Sequence, residues 1–336
     1  MHESLSRITP SPVLAIVVPC FNEEEVLPET AQRLLEKIRE LVSEQTVSEK
    51  SFLLFVDDGS SDNTWALIEE QHAANPQVSG GVKLSKNTGH QNALLCGLLS
   101  VKNRADAVIS IDADLQDDID VIGEMVEKYS GGCEIVYGVR SKRGTDGFFK
   151  RASAQGFYRL MRLLSVEIIY NHADFRLMGK KALEALAEYN EVNLFLRGII
   201  PVLGFRTGAV YYSRKERLAG TSKYPAGKMF KFAFEGITSF SVKPIRLITV
   251  LGVLLFVVSL SMIVYFLSRY FSGHTVTGWA SIACSLWGIG GLILFSIGIV
   301  GEYIGKIYLE TKKRPRYHIE KILASRERMN GEQKNS

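Results

Sequence analysis

The stretch Val108-Ile109-Ser110-Ile111-Asp112-Ala113-Asp114-Leu115-Gln116-Asp117-Asp118 decides how the rest of the chain is read. A short run dominated by β-branched residues that breaks off into carboxylates predicts a buried strand, Val108–Ile111, with its carboxyl end open to a ligand. Asp112 and Asp114 at i and i+2, with the amide oxygen of Gln116 at i+4, offer hard oxygen donors of the kind that hold Mg²⁺ or Mn²⁺ against a phosphate. Asp117 or Asp118 is placed to cap a helix that follows. A bare Asp-x-Asp is as readily a solvated loop; its position at a strand end favours the metal.

Outward from this strand, the segment 13–140 alternates apolar Val/Ile-rich runs with helical spacing. Strands are predicted at Leu14–Pro19, Phe52–Asp57, Gly81–Leu84, Val108–Ile111 and Ile135–Gly138. Helices are predicted at Glu24–Val42, Asp62–Ala73, His90–Val101 and Ile119–Tyr129. This βαβα order implies a mostly parallel sheet covered by helices on both faces, which takes its ligands at the carboxyl ends of the strands. Asn22, Asp57 and Asp58 then join Asp112 and Asp114 at that rim. Adjacent carboxylates such as Asp57 and Asp58 are costly to bury, and donors supplied by a ligand, a base or a ribose hydroxyl, would explain them. Gly59 permits the turn and Ser61 or Asp62 can cap the next helix, while Asn22 and Glu24 are also readable as caps. Arg140 and Arg143 follow the fifth strand and either reach a phosphate or sit on a surface loop. His90, with Thr88 and Gly89 before it, opens a helix whose N-terminus would suit a phosphate or simply a cap.

The charge is local. Residues 302–336 hold nine Lys/Arg against five Asp/Glu, and residues 1–301 hold 31 against 31, so the net +4 belongs to the last tenth of the chain. A neutral body argues against nucleic acid as a partner and a basic tail suits a membrane surface. Cys20, Cys96, Cys133 and Cys284 show no close pair, so neither a zinc ribbon nor a redox pair is encoded and free thiols in a reducing compartment are expected.

Two long runs without Asp, Glu, Lys or Arg, Leu247–Leu267 and Thr277–Gly301, are each long enough at about 1.5 Å per residue to cross a hydrocarbon core of roughly 30 Å. Lys228, Lys231, Lys243 and Arg246 precede the pair and Lys306, Lys312, Lys313, Arg314 and Arg316 follow it, which predicts a two-helix transmembrane hairpin with both flanks, and so both termini, cytoplasmic. Phe230, Phe234, Ile237 and Phe240 recur at helical steps opposite Lys228, Lys231 and Glu235, an amphipathic juxtamembrane helix for the headgroup layer. The expected organisation is a catalytic domain over 1–224, the amphipathic helix over 225–244, the hairpin over 245–301 and a basic cytoplasmic tail over 302–336. Gly288, Gly290 and Gly291 in the second span would allow two copies to pack closely as a homo-oligomer.

Val18-Pro19-Cys20-Phe21-Asn22-Glu23-Glu24, Val56-Asp57-Asp58-Gly59-Ser60 and Asp112-Ala113-Asp114-Leu115-Gln116-Asp117, in this order and spacing, resemble glycosyltransferase family 2. Ala173-Asp174-Phe175-Arg176-Leu177-Met178, Arg217-Leu218-Ala219-Gly220-Thr221-Ser222-Lys223-Tyr224 and Gly301-Glu302-Tyr303-Ile304-Gly305-Lys306 resemble its polyprenyl-phosphate branch, including the bactoprenol (undecaprenyl-phosphate) glucosyltransferases. Ala173 stands where members often have Gly, and Gly179 where Asp is frequent, which bears on subfamily more than on activity.

The resemblance implies a GT-A nucleotide-sugar-binding domain anchored in the inner membrane as a multi-pass protein. Its partners would be a nucleotide sugar and a polyprenyl phosphate lipid. Asp58 would contact base or ribose, with Pro19, Asn22 and Glu24 shaping that pocket. Asp112, Asp114 and Gln116 would hold the divalent cation. The candidate catalytic carboxylates fall on Asp174 and Asp114, and the plain alternative for Asp174 is a salt bridge to Arg176 or a loop cap. Arg217, Ser222 and Lys223 would meet phosphate of acceptor or donor, or form a solvated basic loop. UDP-glucose is the expected donor, ahead of UDP-N-acetylglucosamine and GDP-mannose. A catalytically silent membrane scaffold is disfavoured because Asp112, Asp114 and Asp174 are all intact, and an inactive chain has no physical need of such carboxylates. A processive polysaccharide synthase is disfavoured because Trp65, Trp279 and Trp287 all lack a preceding Arg. The first strand runs into Asn22-Glu23-Glu24 rather than a glycine-rich loop, which speaks against a nicotinamide-binding fold.

Overall fold

The computed structural model describes residues 11–140, 172–192, 195–213 and 278–323, with isolated positions between 245 and 272. Arg217, Ser222, Lys223 and the amphipathic segment 225–244 lie outside the described residues. The chain divides into two compact units: one contains Met1–Ser153, Ile168–Lys223 and Pro315–Ser336, the other Ala154–Glu167 and Tyr224–Arg314.

In the first unit every residue of β1 (Leu14–Cys20) and β2 (Phe52–Asp57) is buried, as a strand covered on both faces requires. They continue into a sheet with β3 (Ser79–Leu84), β4 (Ala107–Ser110), β5 (Ile135–Arg140), β6 (His172–Gly179), β7 (Thr207–Tyr212) and β8 (Ile319–Leu323), in the order β7-β5-β6-β4-β1-β2-β3-β8. Leu14, Ile16 and Val18 of β1 share a cluster with Leu34, Ile38 and Leu41 of α1 (Leu27–Ser43) and Ile122 and Met125 of α4 (Ile122–Ser130). On the other face, α3 (His90–Val101) comes so close that a Cβ on its Gly97 would lie 2.4 Å from a methyl of Val17. α2 (Thr64–Ala74), α5 (Lys180–Glu188) and α6 (Leu196–Val202) complete the described helices of this unit.

Two expectations are corrected. The sheet is mixed: of seven strand pairs, β1·β2, β1·β4, β2·β3 and β5·β7 are parallel, whereas β4·β6, β5·β6 and β3·β8 are antiparallel. β6 breaks its apolar run with Asp174 and Arg176, and β8 reads Ile-Glu-Lys-Ile-Leu, so neither carries the signature of a buried parallel strand. Helix α1 begins at Leu27 rather than Glu24; residues 23–26 form a turn with Val26 N–H donating to the Glu23 carbonyl at 3.1 Å, and Pro28 occupies the first turn, where its missing N–H costs nothing.

Part of the segment read as a tail belongs to this unit. β8 pairs with the edge strand β3, Lys83 meets Glu320 at 3.1 Å, and Lys321 meets Glu69. Arg316 donates to the Tyr189 carbonyl at 2.7 Å.

The second unit contains α7 (Trp279–Lys312), a continuous helix of 34 residues. It outruns the apolar segment that ends at Gly301, since nothing in Glu302–Lys312 breaks a helix; Lys313 in left-handed conformation closes it two residues before Pro315. Among the described residues one stretch, Ile289–Lys312, is long and apolar enough to cross a membrane. The described positions from 245 to 271 are helical.

Candidate active site

Two carboxylate clusters sit at the carboxyl ends of β2 and β4, the two strands that flank β1 in parallel, and the chain treats them differently. At the end of β2, Asp58 is buried and fully engaged by a loop of its own chain. Its Oδ1 accepts from Thr88 N–H at 2.7 Å and Thr88 Oγ1 at 2.9 Å, and its Oδ2 accepts from Gly89 N–H at 2.9 Å. Asp57 accepts from Ser60 N–H through Oδ1, while its buried Oδ2 has no hydrogen-bond partner among the described residues. Burial pushes the Asp57 carboxyl up, against the opposing pull of Ser60 and Lys83. The expectation that a ligand must supply the donors for both carboxylates is corrected for Asp58, because the loop after β3 supplies them. Gly59, at φ +68, lets that loop pass: a Cβ there would meet the Lys86 carbonyl carbon at 2.5 Å.

Asn22 and Glu24 fasten the end of β1 to the same region. Asn22, with φ at 53, accepts from Ser61 N–H at 2.9 Å, and Glu24 Oε2 accepts from both the backbone and side-chain nitrogens of Asn63. Asp62 bridges back, accepting from Glu24 N–H and from Thr64 N–H. Asn22 and Glu24 therefore brace the start of α2 rather than cap α1. Pro19 is buried in β1, paired with Val56.

At the end of β4 the surroundings are cationic. The β4·β6 register, Ala107↔Gly179 through Ser110↔Arg176, extended by two residues sets Asp112 across from Asp174. His90, at the first turn of α3, faces both, 3.6 Å from Asp112 Oδ1 and 3.5 Å from Asp174 Oδ2. Arg176 is almost wholly buried at 1% exposure and donates to Asp174 Oδ1, while its Nε and Nη1 have no hydrogen-bond partner among the described residues. Arg197 of α6 grips the same carboxylate with two bonds, Nε to Oδ1 at 3.1 Å and Nη2 to Oδ2 at 2.8 Å. Gln91 of α3 accepts from Leu196 N–H at 2.9 Å and so anchors the start of α6.

These contacts set the charges. Burial alone would raise the Asp174 carboxyl, but His90, Arg197 and Arg176 together hold it well below the usual carboxylate range. Asp112 is pushed up to about 6, by burial and by Asp174, Asp117 and Asp114, with His90 opposing. Since 37% of that side chain still reaches solvent, the neighbouring carboxylates are the firmer cause. Burial would lower the His90 imidazole, yet the contacts with Asp174 and Asp112 raise it.

Asp114 Oδ1 accepts from Gln116 N–H at 3.2 Å, and Leu115 between them takes φ of 49, a conformation that an apolar L-residue adopts only under strain. Gln116 is buried. Asp118, not Asp117, caps the turn Ile119–Val121. Asp117 instead accepts from Tyr212 and from Arg140 Nη2, the latter at 3.1 Å, tying β5 and β7 to the loop. Among the described residues no three His, Cys, Asp or Glu side chains converge to hold a metal ion. The half-buried Asp112 and Asp114 carboxylates remain hard donors at an accessible rim, a set that suits a cation completed by ligand oxygens. Sequence reasoning missed Arg197, whose partner lies 23 residues away on another element.

The sheet is a mixed α/β sheet of the GT-A kind, with acidic groups at the rim of β2 and β4. The model of the family "Glycosyl transferase family 2" matches residues 15–187, and the chain belongs to that family and is a glycosyltransferase. It is similar to the "Uncharacterized glycosyltransferase YkoT" of Bacillus subtilis, 58% identical over 92% of this chain and 91% of the relative. It is also similar to the "Bactoprenol glucosyl transferase" of Shigella phage SfX, 41% identical over 91% of this chain and 98% of that protein. A "Prophage bactoprenol glucosyl transferase homolog" of Escherichia coli is 39% identical over 92% and 99% of the two chains.

Proposed function

We propose that this glycosyltransferase moves glucose from UDP-glucose to undecaprenyl phosphate at the cytoplasmic face of the cell membrane, with inversion, to supply cell-envelope glycan modification. The observation that carries this reading is the identity of 41%, over nearly the whole of both chains, to a protein whose name states glucosyl transfer and bactoprenol. The apolar α7 helix supports a membrane setting. The multi-pass hairpin over 245–301, with both termini cytoplasmic, completes the proposed topology, and sided labelling that finds residues 50 and 320 on opposite faces would overturn it.

In this reading an acceptor phosphate oxygen forms the new bond to the anomeric carbon as the bond to the UDP oxygen breaks, and the electron pair leaves with UDP. The acceptor phosphate is already ionised at neutral pH. No base is needed, so Asp174 orients cationic groups instead of taking a proton. Asp112, Asp114 and Gln116 would hold Mg²⁺ or Mn²⁺, which when bound neutralises charge on the leaving diphosphate. Asp58 serves the nucleotide pocket by fixing the Thr88–Gly89 loop, beside Pro19, Asn22 and Glu24. Arg217, Ser222 and Lys223 take up phosphate, where Arg can engage with two donors.

The test is transfer by membranes containing the protein from labelled UDP-glucose, UDP-N-acetylglucosamine and GDP-mannose to undecaprenyl phosphate, with and without EDTA. Transfer from UDP-glucose that EDTA abolishes is expected. Transfer from a different donor would reassign the sugar, and no transfer to the lipid from any donor would overturn the reading.

A further inference from the structure

We propose that Thr30 is a positioning residue for the acidic loop after β4: its hydroxyl, donated from α1 to the Ala113 carbonyl, sets Asp114 relative to Asp112. The inference rests on the reading that these two carboxylates, with Gln116, hold a divalent cation.

The geometry begins with a polar group where packing asks for none. Thr30 is wholly buried, on the face of α1 that carries Leu27, Ala31 and Leu34 into the core. An apolar residue would fill that place without the cost of burying a hydroxyl. The Thr30 hydroxyl instead has two acceptors, the Val26 carbonyl one turn back at 2.9 Å and the Ala113 carbonyl, 83 residues away, at 2.6 Å. A threonine inside a helix commonly bonds back to the preceding turn, so the contact with Val26 is ordinary. The contact with Ala113 is not. Val26 already receives the Thr30 N–H at 3.0 Å. Ala113 is 4% exposed and lies outside the strands and helices, and among the described residues Thr30 is the donor to its carbonyl. The shorter contact and the greater need for a donor both fall on Ala113.

That carbonyl belongs to the peptide leading into Asp114, so fixing it fixes the backbone from which Asp114 departs. The start of the loop is tied by Ile111 N–H to the Val17 carbonyl at 3.1 Å, and its end by Asp117, which accepts from Arg140 at 3.1 Å. Between those ties Leu115 holds a φ of 49. Backbone strain of this kind persists only where the surroundings over-determine it. Thr30 supplies the tie in the middle. Asp174, which faces Asp112, is held by a comparable contact, the buried Ser110 hydroxyl donating to its carbonyl.

The test uses the full-length protein in detergent with saturating UDP. Mn²⁺ binding is titrated by electron paramagnetic resonance for wild type, Thr30→Val, Thr30→Ser and Ile38→Ala, and the melting temperature of each is recorded. Thr30→Val keeps the shape and removes the hydroxyl, and a loss of about tenfold in Mn²⁺ affinity is expected, as for other groups that orient a metal ligand from behind. Thr30→Ser keeps the hydroxyl and should restore binding. Ile38→Ala loosens the same helix two turns further on, and should lower melting without weakening Mn²⁺ binding. Wild-type affinity in Thr30→Val overturns the proposal, as does a loss in Thr30→Ser or in Ile38→Ala equal to that in Thr30→Val, either of which would assign the effect to packing. If Thr30→Val does not fold, Thr30→Ala against Thr30→Ser decides, since the two differ by the hydroxyl alone: weaker Mn²⁺ binding in Thr30→Ala supports the proposal and equal binding overturns it. A wild type that binds Mn²⁺ but transfers no sugar would defeat the functional reading alone, whereas one that binds no Mn²⁺ would defeat the metal assignment and this proposal together.

Discussion

The ends of β2 and β4 carry similar acidic sequences, Asp57-Asp58 and Asp112-Ala113-Asp114, on strands that both pair with β1. At β2 the chain brings its own neutral donors, the Thr88–Gly89 loop and Ser60, and the cluster becomes a clasp between loops. At β4 it brings His90 beside Asp112 and the cations Arg176 and Arg197 onto Asp174, with a strained Leu115 in the loop that follows. Carboxylates closed off by backbone N–H groups build a pocket, whereas carboxylates left half-buried among cationic side chains can act on a ligand.

That contrast can be broken by substitution, starting with the largest effect. Asp174→Ala removes the counter-ion of an arginine sealed in the interior, and breaking such a pair costs about 3–5 kcal/mol. The expected result is a Tm lower by roughly 10 °C together with loss of transfer. A variant as stable as wild type would show that Arg176 does not depend on Asp174. Asp114→Asn should leave the fold in place and lower the initial rate by roughly 100-fold or more across a Mg²⁺ and Mn²⁺ titration; an unchanged rate would move the active carboxylates elsewhere.

The β2 cluster should answer in stability first. Asp58→Ala strands the N–H groups of Thr88 and Gly89, with an expected cost of about 1–3 kcal/mol and weaker UDP binding that follows from the loosened loop. Tight UDP binding in a destabilised variant would separate the clasp from the pocket. Gly59→Ala meets the Lys86 backbone at 2.5 Å and needs a left-handed conformation, so melting should drop by the equivalent of about 1–2 kcal/mol. Smallest of all, Glu24→Ala gives up a brace on Asn63 at an exposed edge of the fold, and about 1 kcal/mol or less is expected from the same melts.

The parallel core was legible because β1, β2 and β4 are apolar throughout and end abruptly in polar residues, so Asp58, Asp112 and Asp114 could be set at one rim by counting. What was hidden depends on partners remote in sequence. The donors for Asp58 come from a loop some 30 residues on, and no local pattern announces them. β6 reads poorly as a strand because Asp174 and Arg176 break its apolar run, and only its antiparallel pairing with β4 and β5 makes it part of the sheet. Arg197 becomes interpretable only once that register has delivered Asp174 to the start of α6. The apolar run to Gly301 revealed a helix but not its end, because helix continuation depends on backbone propensity and not on hydropathy.

The antiparallel pairing of β3 with β8 joins residues 237 positions apart, Lys83 to Glu320. A growing chain at about 5–20 residues per second leaves that sheet edge without its last strand for roughly 10–50 s after β3 has been made. During that interval the whole apolar α7 helix is synthesised. The catalytic sheet is thus completed only after the apolar helix has emerged, which makes the order of synthesis and folding part of how this enzyme is assembled.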